Sequence, residues 1–286
     1  MNAMSGTARM PAVRSRFRNM VFEPMPLIGM GILASILLVA WIGPFLVPND
    51  PITVNMEERL LSPSFKYPLG TDHMGRCLFS RLAVGAQATL GITAVVVVTV
   101  VLIGIPVGLL SGYVGGRFDS ITMRVVDGLN AFPEFILAIA VAGFLGPSLT
   151  NLMLSVVLVK WIGYARIVRG IVLSEREKEY VLAARVGGCG TWKLLRRHLL
   201  PSIVSPVLVL AALDVGKVIL TISSLSYLGL GAQPPAPEWG AMLNDGRSYF
   251  QTFPELMIYP GAAIFLVVLS CNLIGDGLRD ALETKV

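Results

Sequence analysis

Five ionisable side chains fall in or near stretches that are otherwise apolar: Asp127, Glu134, Lys160, Asp214 and Lys217. A charge at the centre of a bilayer costs roughly 3 kcal/mol or more, so such residues pair with one another or line a polar path. Asp214 and Lys217 are three apart, a spacing that predicts a pair on one helix face. Glu134 follows Pro133, which predicts a kinked or broken helix there. Glu134, Lys160, Asp214 and Lys217 are therefore candidate residues of a translocation path. The alternative is a structural pair facing a neighbouring span.

A second group is Asp72, His73 and Cys77, whose oxygen, nitrogen and sulfur donors suit nickel or a similar ion. A structural plug or a docking surface in the same loop is the competing reading, and no metal site is expected. Cys77, Cys189 and Cys271 are far apart and form no CxxC pair, so they signal neither a disulfide framework nor zinc. No Ser/His/Asp or Cys/His set is arranged for catalysis. The one Gly-Lys pair, Gly216-Lys217, has Ala211 where a phosphate loop needs glycine. The chain is thus expected to be no enzyme, to need no cofactor, and neither to bind nor to hydrolyse ATP.

The elements that must position these groups are apolar runs. The chain has 286 residues, 54% hydrophobic and only 14% charged, against about 25% charged in soluble domains. Runs of about 20 apolar residues, enough to cross the hydrocarbon as helix, recur along it. Spans are expected near 26–47, 87–111, 121–145, 149–169, 203–226 and 256–275. The first follows a basic tail (1–22) and reads as an uncleaved signal-anchor. Residues 48–81 and 232–254 are long polar loops, and 281–286 a short tail. Arg59, Lys66, Arg76, Arg81 and Arg247 fall in the loops expected outside. Lys160 and Lys217 lie in spans, and the rest of the 23 Lys and Arg fall on the expected cytosolic side. That asymmetry places both termini in the cytosol. It also accounts for the net charge of +5 without nucleic acid.

Between the fourth and fifth spans lies a polar, basic segment, 174–201. Ser174-Glu-Arg-Glu177 fits a capping box and predicts a helix start near 175. Tyr180, Ala183, Ala184 and Gly187 recur at helical spacing. The small pair Ala183–Ala184 would let another protein lie close. Gly187, Gly188 and Gly190 are expected to end this helix. Thr191 is expected to cap a second one, with Trp192, Leu195 and Leu199 as its apolar stripe beside Lys193, Arg196 and Arg197. Pro201 is expected to stop it. The alternative is an amphipathic loop lying on anionic lipid.

This segment resembles the coupling motif of ABC importer permeases: EAA, three residues, Gly, nine residues, I-x-L-P. Ala183, Ala184, Gly188, Leu200 and Pro201 match, whereas Leu182 replaces the motif's Glu and His198 its Ile. Leu69-Gly-Thr-Asp-His-Met-Gly-Arg76 with Ser80-Arg81 resembles the signature of the dipeptide/oligopeptide/nickel branch, with Cys77 for the usual Asp. Leu225–Gly231, Pro237–Gly240 and Asn272–Asp280 are similar to that branch too, in its second or "C"-type permease, and the forms around Asp72 and Leu182 lean towards nickel-type members.

The resemblance implies an all-α polytopic membrane protein with six transmembrane helices and the type I importer (MetI-like) permease fold. Residues 82–280 would form its five-helix core. It implies a bacterial inner-membrane subunit paired with a homologous second permease, two cytosolic ATPases and an external substrate-binding protein. Glu179, Ala183, Ala184, Gly187, Gly188, Arg196 and Pro201 would contact or shape the ATPase junction. Peptides or nickel, free or chelated, would be the cargo. An ion-coupled secondary transporter is the rival; it would need inverted repeats, and none is evident.

Overall fold

The computed structural model describes residues 23–47 and 49–282; the basic tail 1–22 and residues 283–286 lie outside the described residues. The long elements are α1 (Pro24–Leu46), α2 (Leu78–Val114), α3 (Gly116–Asn130), α4 (Glu134–Leu145) and α5 (Leu149–Glu175). They are followed by α6 (Glu179–Val186), α7 (Thr191–Leu194), α8 (Leu200–Tyr227), α9 (Trp239–Gly246) and α10 (Glu255–Leu282). Among the described residues the only β-type pairing is an isolated bridge between Thr71 and Cys77.

The helices form because apolar runs leave their backbone no partner but itself in hydrocarbon. Four are long and apolar enough to cross a membrane: α1, α2, the rod Thr191–Tyr227 and α10. The expected third span is two helices, α3 and α4, bent by 90° at the break before Glu134, and counts as a fifth if taken together. The expected fourth span is α5, 27 residues long. It carries Lys160, Arg166 and Arg169 and is not apolar enough to meet the same test. Its arginines are paired with α3: Arg169 grips Asp119 through two hydrogen bonds, and the exposed Arg166 reaches Asp127.

What holds α5 is α2. At 37 residues, α2 is roughly 55 Å long, well beyond the hydrocarbon thickness of about 30 Å. Gly104, Gly108 and Gly112 repeat every four residues along it, so they share one face. A Cβ at Gly104 would stand 2.5 Å from Tyr164 Cβ, at Gly108 2.5 Å from the Ala165 carbonyl, and at Gly112 2.8 Å from Val172 Cβ. Small residues at this spacing let two membrane helices approach backbone to backbone. The seam continues into a core of Val96, Val156, Val168, Leu199, Ile203 and Ile222.

α1 lies against α10, Gly29 opposite Leu273 and Ser270, and reaches α2 at its far end, where Gly43 meets Ala83. Gly29 opens α1 and Leu273 nears the end of α10, so the described chain begins and finishes at the same end of the bundle. At the other end, Glu238 caps α9. Its carboxylate accepts from the Gly240 and Ala241 amides at 2.9 Å and from the Thr89 hydroxyl of α2. Trp239 donates to the Leu82 carbonyl.

Gly108→Ala should separate α2 from α5, because the new methyl meets a backbone carbonyl that cannot yield. A loss of about 1–3 kcal/mol is expected, read as a lower apparent Tm of the purified chain in detergent. Gly91→Ala, on the same helix with nothing within 4 Å, should leave Tm unchanged or slightly raised.

Candidate functional sites: the basic segment and the charged cavity

The basic segment is built differently from its sequence signals. α5 runs through Ser174 to Glu175, so the capping-box signature lies inside a helix end and starts nothing. The next helix, α6, begins at Glu179. Glu175 instead accepts from the Tyr180 hydroxyl and from Lys178. With that carboxylate as its acceptor the Tyr180 phenol is pushed up to about 12. It stays protonated and staples α6 to the end of α5. Its ring also leans on His198, 6.3 Å between centroids.

α6 ends as its glycines suggest, through one of them. Gly188 has φ +77°, a left-handed angle that costs other residues about 1–2 kcal/mol. Its amide donates to the Arg185 carbonyl and the Cys189 amide to the Ala184 carbonyl. These two bonds form a Schellman stop. Gly187 and Gly190 keep ordinary angles of −69° and −63°. Gly190, not Thr191, is the N-cap of α7. Pro201 stops nothing. The helix runs on through it, α7 passing by a π-type turn (Leu195–Leu199) into α8.

Val181, Leu194, Leu195 and Leu199 sink into the main core, with Ala184 and Cys189 packed on it. The segment is therefore seated on the bundle. Glu179, Ala183, Gly187, Gly188, Arg196 and Pro201 remain exposed. Three apolar side chains are exposed as well: Leu182, at the motif's Glu position, and Val186 (91%) and Trp192 (74%), which the motif does not mark. Leu182 and Val186 are four apart, opposite Val181, so a helical projection from Glu179 would have found them. Trp192 leaves the apolar stripe assigned to it and Leu194 takes its place. Exposed apolar groups rimmed by Lys193, Arg196 and Arg197 suit a protein contact.

The second site is a cavity of about 170 Å³ lined by Glu134, Lys160, Tyr164, Asp214 and Lys217, among others. Asp214 does not pair with Lys217. Lys160 Nζ stands 3.4 Å from Asp214 Oδ1 and 2.9 Å from Glu134 Oε1. One ammonium thus joins the broken span, α5 and α8. The Lys160 side chain is 8% exposed and that of Glu134 52%. Asp127, by contrast, sits apart with Arg166.

The loop at the far end commits Asp72 to arginine. Asp72 accepts from the Met74 and Arg76 amides and from Arg76 Nε at 2.7 Å. Arg76 and Arg81, 1% and 2% exposed in their side chains, both reach Asp245 in the last turn of α9. Arg81 also donates to the Pro51 and Pro235 carbonyls. These charges clamp the two long loops together, which is the structural reading of the Asp72–Cys77 group. His73 stacks on Tyr249.

Residues 104–286 match the protein family described as "Binding-protein-dependent transport system inner membrane component". The chain is 42% identical over 252 residues to the nickel transport system permease protein NikC of Escherichia coli K12, covering 88% of this chain and 91% of that one. It is 38% identical over 273 residues to the dipeptide transport system permease protein DppC of Alkalihalophilus pseudofirmus, covering 96% and 90%. It is 41% identical over 263 residues to the probable D,D-dipeptide transport system permease protein DdpC of Escherichia coli K12, covering 92% and 88%.

Lys160→Met would leave Asp214 buried without its counter-ion. The expected cost is about 3–5 kcal/mol, seen as a marked fall in apparent Tm in detergent. Replacing Asp214 by Asn in the same chain should recover part of it.

Proposed function

The chain belongs to the binding-protein-dependent transport system inner membrane component family, and from that membership we propose how its two sites cooperate. It is the permease subunit of an ABC importer, as are its relatives for nickel and dipeptides. A homologous second permease pairs with it, and spans of both line one path for small peptides or nickel, free or chelated. The cavity of Glu134, Lys160, Asp214 and Lys217 faces that path. A substrate-binding protein delivers cargo to the loops 49–77 and 232–254 on the external side. Both termini lie in the cytosol, where two ATPases hold the segment 174–201 of each permease. Their closure on ATP draws the segments together and turns the path from inward-open to outward-open, a shift between two global states.

The observation that carries this reading is the two-faced segment. One face is fixed in the core through Val181 and Leu194, and the other offers Leu182, Val186 and Trp192. Because Leu182 stands where the family motif has a carboxylate, the contact depends on shape and on the neighbouring bases. Glu179, Ala183, Ala184, Gly187, Gly188, Arg196 and Pro201 shape or flank it. Nothing in the names of the relatives favours an ion-coupled secondary transporter.

Gly188→Arg tests the reading. A long cationic side chain at a left-handed position on the contact face should abolish transport and release the ATPase on purification. Insertion of this chain into the membrane should be normal by fractionation. Transport at the wild-type rate would sink the docking role.

A further inference from the structure

We propose that Glu134 is the latch of a gate: it holds the head of α4 on Lys160 in the arrangement seen, and passes to Lys217 when α4 swings away. The proposal rests on the importer reading above and assigns the moving part of that path.

α4 is the lightly held half of the broken span. Its fully buried residues are Ala138 and Ala142, with Leu137 and Ile139 partly covered. Phe135, Ile136 and Phe144 are exposed. Its far end is pinned, the Asn151 amide donating to the Leu145 and Gly146 carbonyls at 2.8 and 3.0 Å. At its near end no side chain caps the helix, the chain bends by 90°, and the Glu134 carboxylate ties it to Lys160 of α5. α3, beyond the break, is fixed separately by Arg166 and Arg169. A helix pinned at one end, with a small buried face and a break at the other, can pivot about the pinned end.

The tie is one that can part. Lys160 Nζ lies between Glu134 and Asp214, at 2.9 and 3.4 Å. The Asp214 side chain is 10% exposed and that of Glu134 52%. When Glu134 leaves, Lys160 keeps Asp214, which also has the Tyr164 hydroxyl beside it. No buried charge is then orphaned, and it is the orphaned charge that makes a buried pair costly to break. Glu134 is already half in water, where an ion pair contributes little.

Lys217 gives the released carboxylate a second seat. It is exposed, lines the same cavity of about 170 Å³, and makes no ion pair among the described residues. An unpaired ammonium in a span is costly and calls for an anion. Its depth matches that of the latch. α4, α5 and α8 share one end: the turn 146–148 joins the first two, and the Ser148 amide donates to the Leu230 carbonyl just past α8. Glu134, Lys160 and Lys217 each lie ten or eleven residues from that end of their helices. That is about 16 Å along the axis, near the middle of the hydrocarbon. One mobile anion thus has two cations at its own depth, which makes a two-state element.

The test uses the complete importer, purified with its own second permease and ATPases. Its binding protein is supplied with a tryptic casein digest and nickel chloride together, so both cargo classes are present. ATP hydrolysis is read with and without the binding protein in wild type, Glu134→Gln, Lys217→Met, Lys217→Arg and the double variant Glu134→Gln/Lys217→Met. Glu134→Gln opens the latch and should raise the unstimulated rate about fivefold, the measure of an ion pair half open to water. Lys217→Met removes the second seat. It should keep the unstimulated rate and cut the stimulated one about fivefold, whereas Lys217→Arg should retain it. The double variant should match Glu134→Gln at both rates, because Lys217 acts only through that carboxylate; two independent props would add instead. Wild-type rates in Glu134→Gln, or additive effects in the double variant, would overturn the latch, while stimulation of the wild type upholds the importer reading. Failure of Glu134→Gln to assemble, seen by gel filtration, would make the pair a fixed prop and overturn the latch too. Absence of stimulation in the wild type would end both.

Discussion

The close approach of α5 to α2 is the contact on which the rest of the bundle depends, and it exists because three positions on α2 lack a Cβ. It fixes α5 along the stretch from Tyr164 to Val172. The polar contacts at that end of the bundle then hang from α5. Lys160 reaches the broken span and α8, Arg166 and Arg169 hold α3, and Arg176 just past its end donates to the Gly112 carbonyl. α2 covers one flank of α5, and each of these cations has a carboxylate or carbonyl partner on another element.

The buried charges divide by what they hold. Around Arg76 and Arg81 the pairing is dense: two guanidinium groups, two carboxylates and several backbone amides and carbonyls satisfy one another. Removing any one member would leave a charge uncompensated, which is how such clusters enforce a single arrangement of two otherwise irregular loops. Around Lys160 the pairing is sparse, with one cation for two anions and a second cation, Lys217, standing off. Dense pairing suits a clamp. Sparse pairing suits a wall that exchanges partners.

Much of the fold was legible in the residues, and the misses share one cause. The apolar runs gave the helices, Pro133 gave the break, and the positive backbone angle at Gly188 matched a glycine read as a helix stop. Local spacing misled wherever a distant partner was better. Asp214 ignores Lys217 three residues away because Lys160, 54 residues earlier in the chain, is held beside it by the α2–α5 seam. Ser174-Glu-Arg-Glu177 could open a helix in isolation, but α5 is carried through it by packing. Pro201 could end a helix, yet the rod runs through it just after the π-type turn. The six expected spans are clear for four helices and arguable for the bent pair. α5 misses a hydropathy criterion because it carries Lys160, Arg166 and Arg169, whose carboxylate partners are distant in the chain. Leu182 and Val186 share one face of α6 at a spacing of four, which a helical projection shows, but that this face is exposed follows only from Val181 pointing inward.

The π-type turn at Leu195–Leu199 has a mechanical meaning. It joins the exposed Trp192 and the buried Asp214 on one unbroken rod, Thr191–Tyr227, with about 35 Å of helix between them. An added residue in one turn rotates everything beyond it relative to the start of the rod. The turn therefore sets the phase angle between the exposed Trp192 and the buried Asp214. Taking that residue out would turn Trp192 by about 100° around the rod axis relative to Asp214 and carry the exposed indole to another side of the segment.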